Sequence, residues 1–66
     1  MYKIDQKVSW ICEGQTIVGR VFDIEVSREI VYEPKVRERT VYLLLEDGKH
    51  PRNGVSVRGA ENITAV

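Results

Sequence analysis

The chain has one cysteine and one histidine among its residues. A single cysteine excludes any disulfide within the chain, and a secreted domain of this size usually carries several. One histidine with one cysteine cannot build the usual tetrahedral metal site, so no metal or other cofactor is expected. No apolar run approaches the ~20 residues that cross a bilayer. Met1-Tyr2-Lys3-Ile4-Asp5-Gln6-Lys7 meets charge at once and has no apolar signal-peptide centre. The expectation is an unprocessed, soluble, cytoplasmic product with no membrane partner. An excess of one charge sign is also missing: ten basic residues balance ten acidic ones. Bulk electrostatics therefore gives no general pull toward nucleic acid, although a local patch could.

The helical period is absent as well, and what takes its place is alternation. Sixty-six residues make one domain, and at 42% hydrophobic they suffice for a thin packed core. Lys7–Cys12 places Val8, Trp10 and Cys12 on one side of a strand. Glu13-Gly14-Gln15 is a turn, and Thr16 opens a longer strand whose Val18, Phe22, Ile24 and Val26 share a face. Gly19 inside that strand predicts a bulge or a bend. From Ser27 to Glu38 the pattern loosens into either a long hairpin arm or an irregular loop, with Pro34 limiting pairing to an edge.

Thr40–Leu45 is the clearest strand, with Val41, Leu43 and Leu45 on one face and Tyr42 and Leu44 on the other. A strand apolar on both faces is either central or part of a subunit interface, so Tyr42 and Leu44 are candidates for self-association into a homodimer. Asp47-Gly48 and Asn53-Gly54 are turn signals. Arg58–Asn62 suits one 3₁₀ turn, and Ile63 onward forms a last short strand. The expected architecture is all-β: a small five-stranded SH3-like barrel with a 3₁₀ turn before the last strand.

Lys7-Val8-Ser9-Trp10, Gly14, Thr16, Gly19-Arg20-Val21, Tyr42-Leu43-Leu44 and Gly48-Lys49 together resemble small bacterial Tudor-like domains, the family named after hypervirulence-associated proteins. The likeness spans about half the chain and implies an SH3-like barrel rather than an activity; the segment from Ser27 to Arg39 departs from it. Gln15–Gly19, His50-Pro51 and Val55-Ser56-Val57 are more distantly similar to the plasmid-type dihydrofolate reductases, tetrameric barrels around a pore. That family's pore segment is Val-Gln-Ile-Tyr, whereas this chain has Val55-Ser56-Val57-Arg58. The resemblance therefore implies the fold and not the reaction.

Three groups of residues could carry function. Lys35, Arg37 and Arg39 alternate on one side of a strand, and Lys49, His50, Arg52 and Arg58 cluster around the Asn53-Gly54 turn. These cations are either a solvated face or a site for anions and nucleic acid. Trp10, Tyr32 and Tyr42 are either core residues or parts of an aromatic site for a cation. No phosphate loop, nucleophile–base pair or catalytic motif is present, so catalysis is not expected. The leading reading is a non-enzymatic interaction module for a protein or nucleic-acid partner. The alternative is a homo-oligomeric barrel with an inter-subunit pocket for a small molecule.

Overall fold

Residues 1–32 and 34–66 are described by a computed structural model. Glu13 and Gly14 both adopt positive φ, which is the backbone of a two-residue hairpin turn. That turn joins β1 (Lys7–Cys12) to β2 (Gln15–Tyr32) in antiparallel register, with Cys12 opposite Gln15. β2 runs for 18 residues and pairs with β3 (Lys35–Glu46), of 12 residues. A turn through Gly48, also at positive φ, leads by way of residues 49–54 to β4 (Val55–Gly59). A 3₁₀ turn (Ala60–Asn62) then delivers β5 (Ile63–Ala65) to the far side of β1.

The result is one antiparallel sheet in the order β4-β3-β2-β1-β5. β4 and β5 are its edges, so the sheet is open. It nevertheless curls around one core of Val8, Trp10, Val21, Tyr42, Leu44 and Ile63, drawn from four strands. Tyr2 links β3 to β5 across this curl. Its hydroxyl donates to the Ile63 carbonyl at 3.0 Å, its backbone N–H points to the Tyr42 hydroxyl at 3.4 Å, and the two tyrosine rings meet edge to face at 5.4 Å. No helix is long and apolar enough to cross a membrane.

The inward face of β2 differs from the one expected. Ile17, Gly19 and Val21 face the core, while Val18 and Phe22 are exposed. The cause is a bulge: Val21 pairs with Leu44 and Asp23 with Leu43, leaving Phe22 as an extra residue. An added residue reverses the alternation, so odd positions point inward before it and Ile24 points inward after it. The bulge lies at Phe22 and not at Gly19. The lack of a side chain at Gly19 answers a close approach, since a β-carbon there would overlap the Leu45 carbonyl and lie 2.8 Å from the Trp10 ring.

Between Ser27 and Arg39 the chain forms the hairpin arm. Pairing continues from Val26–Thr40 through Arg28–Glu38 to Ile30–Val36 and Tyr32–Lys35. Glu33 lies outside the described residues.

Candidate functional site

β1 accompanies β2 only from Gln15 to Arg20, and β4 accompanies β3 only from Val41 to Leu45. Further out, the two strands pair with each other alone. The arm therefore stands clear of the sheet, and the molecule measures 43 × 24 × 23 Å. An isolated two-stranded ribbon buries little and is marginal in water. Most of this arm's apolar side chains lie open: Ile30 is 70% exposed and Val26 62%, with Val31, Tyr32 and Val36 exposed beside them.

Register assigns those side chains to faces. Ile24 pairs with Tyr42 on the core face. Successive same-face rungs are then Val26–Thr40, Arg28–Glu38 and Ile30–Val36, without a register shift between them. Arg28 Nε lies 3.1 Å from Glu38 Oε1, so the middle rung is an ion pair between two apolar ones. The opposite face carries Glu25–Val41, Ser27–Arg39 and Glu29–Arg37, acidic along β2 and basic along β3.

The seven expected cationic residues do not form one patch. Lys35, Arg37 and Arg39 belong to the arm, while Lys49, His50 and Arg52 occupy the loop past the other end of β3. Along β3, Lys35 lies roughly 35 Å and Arg39 roughly 23 Å from the Glu46 end where that loop begins, at about 3.3 Å per strand step. Several of these groups are already engaged. Arg39 is ion-paired to Glu61 across Gly59, and Arg37 stands opposite Glu29. Lys35 Nζ lies 5.8 Å from the centre of the Tyr32 ring. His50 shapes its own loop: Nδ1 accepts from the Arg52 N–H, and its carbonyl accepts from Asn53 and Gly54. Arg58 lies opposite Tyr42 on the edge strand, beside the Arg39–Glu61 pair rather than with Lys49, His50 and Arg52.

The Glu61 carboxyl is held below its ordinary 4.5, first by a hydrogen bond from the backbone of its own turn and then, against some desolvation, by the Arg39 guanidinium. Glu61 also lines a shallow concavity of about 330 Å³ with Ile11, Arg58, Asn62 and Thr64. This hollow opens beside the two sheet edges.

The three aromatic candidates are not brought together. Trp10 is 3% exposed and Tyr42 is equally enclosed, both within the core, whereas Tyr32 stands at the arm's tip. Tyr42 and Leu44 offer no self-association surface either, because the chain's own core buries both completely or nearly so. The apolar character of β3 on two faces reflects its central place between β2 and β4. Apart from Tyr32, the arm's exposed apolar residues were missed by sequence reasoning. The signal was available in Val26, Ile30 and Val36, but a loosened alternation does not reveal which strand each residue opposes.

Among the described residues, no buried side-chain nitrogen or oxygen lacks a hydrogen-bond partner, and no three His, Cys, Asp or Glu side chains are grouped to hold a metal. No protein-family model, curated protein or solved structure matches the chain.

Proposed function

We propose that this chain is a non-enzymatic interaction module, an SH3-like barrel of Tudor-like type, whose β2–β3 arm docks a protein partner. The observation that carries the reading is the arm itself: a ribbon that projects beyond its sheet with Val26, Ile30, Val31, Tyr32 and Val36 exposed. Exposed apolar residues concentrated on one element mark a contact surface more than scattered ones do. A protein fits this surface better than a nucleic acid, because Arg28 and Arg39 are each paired to a carboxylate and Arg37 has Glu29 in register opposite it. Phosphate binding needs cations that are free to release counterions. The lone half-buried Cys12 suits a reducing compartment such as the cytoplasm.

The test compares capture by the wild-type chain and by Ile30→Lys, followed by calorimetry with each purified captured protein. The expected result is a protein that binds the wild type at micromolar concentration or tighter and loses at least tenfold with Ile30→Lys. Equal binding by both chains overturns the reading.

A further inference from the structure

We infer that the arm takes its partner by strand addition: an extended segment of another protein, acidic at alternate residues and apolar between them, pairs with the free edge of β3 at residues 35–40. The inference rests on the arm being a docking element and names the chemistry that it docks. β4 pairs with β3 only from Val41 to Leu45, and after Gly59 the chain turns away through the 3₁₀ turn toward β5. Residues 35–40 therefore have β2 on one side and, among the described residues, no strand on the other. In an antiparallel strand alternate residues direct N–H and C=O to opposite neighbours, so about half of these backbone groups point into the open edge. Another extended polypeptide matches such groups at the spacing of a ladder, and a nucleic acid does not.

The arm has two edges, and they differ. Both register shifts of the ribbon put the extra residue on β2, at Phe22 and Val31, whereas β3 runs without interruption. A bulge bends an edge and breaks its ladder, which guards it against pairing. Next to the first bulge, Asp23 Oδ1 accepts the Ile24 N–H at 2.8 Å, so that donor is already taken. β2 is thus the guarded edge and β3 the regular one.

Charge selects the occupant. Lys35, Arg37 and Arg39 share one face of β3, and Val36 and Thr40 share the other with Glu38, which is paired to Arg28. An added strand sets its own side chains directly beside these. Acidic residues next to Lys35 and Arg37 complement them, and apolar residues on the other face extend the surface of Val36 and Ile30 without meeting Glu38 with like charge. The chain already contains one such contact: Glu61 reaches Arg39 from the turn that follows β4. Symmetric pairing of two copies along this edge would set basic residues against basic ones. The edge therefore rejects itself while admitting an acidic strand.

The probe is an end-blocked peptide about eight residues long that alternates valine and glutamate, long enough to span the free edge. A valine–lysine peptide and a single-stranded oligonucleotide of equal charge are the comparisons. Calorimetry on the full chain should give a Kd of about 100 μM or tighter for the valine–glutamate peptide and at least tenfold weaker binding of the valine–lysine one. Lys35→Glu combined with Arg37→Glu should reverse this preference, with circular dichroism confirming that the sheet is kept. In the wild type, the bound peptide should slow hydrogen exchange at residues 35–40 and leave the free edge of β2 unchanged, which attraction of charges without a ladder would not do.

Absence of peptide binding overturns the inference, as does binding without protection of β3 or tighter binding of the oligonucleotide. If one of these occurs yet Ile30→Lys still abolishes binding of a captured protein, the docking reading stands and only the strand addition is wrong. If capture is also indifferent to Ile30→Lys, both fall.

Discussion

Gly19 occupies a point where three strands leave no room for a β-carbon. It pairs with Val8 on one side and Glu46 on the other, and the Trp10 ring lies over it. Gly19→Ala would push against backbone on β3, which cannot rotate away as a side chain could. Overpacking of this kind costs about 1–3 kcal/mol, and urea titration should show a loss toward the upper end of that range. A variant as stable as the wild type would mean that the sheet can open at this position. Glu61 supplies a prediction of a different kind. Its folded pKa lies below the ordinary 4.5, so it contributes stability that is fully present above that value and is lost as pH falls through the lowered folded pKa. Glu61→Gln should therefore be less stable than the wild type near neutrality, and the difference should shrink below pH 4.5. A difference that is constant with pH would assign the effect to packing rather than to charge.

Among the elements, β2 shows how one residue redirects a strand. Before Phe22 its inward side chains pack against β1 and Trp10, and after the bulge Ile24 faces Tyr42. A straight reading of alternation through an 18-residue strand fails at such a point, because every position beyond an inserted residue changes face. The arm differs from the rest of the sheet in stability as well as in exposure. Its backbone hydrogen bonds have neither a covering layer nor a third strand. Amides of the arm should exchange with solvent by local opening, well ahead of those of Val8, Val21 and Leu44, which need global unfolding. Uniform protection along β2 and β3 in dilute solution would show that the arm is not a separate unit.

In the whole molecule, four strand pairings and one aromatic plug hold together a core that a 66-residue chain can barely fill. Tyr2 bridges Tyr42 on β3 and Ile63 on β5, strands separated by β2 and β1 in the sheet order. It therefore links the two sides of the curl without a β-ladder between them. The Lys7–Asp47 ion pair at 2.6 Å adds a second tie between β1 and the turn after β3, though at the surface such pairs are worth little.

The amino-acid sequence determined the strand count, the turns at Gly14, Gly48 and Asn53-Gly54, and the single 3₁₀ turn before β5. All of these are local: they follow from alternation over a few residues and, at Gly14 and Gly48, from a positive φ that favours glycine. Only the tertiary structure decided which face of β2 is buried, that Tyr42 and Leu44 belong to the core, and that residues between Ser27 and Arg39 project as a ribbon. Those outcomes depend on what each residue is placed against. Pairing partners far along the chain, and one extra residue at Phe22, select among faces that the pattern of side chains leaves equivalent.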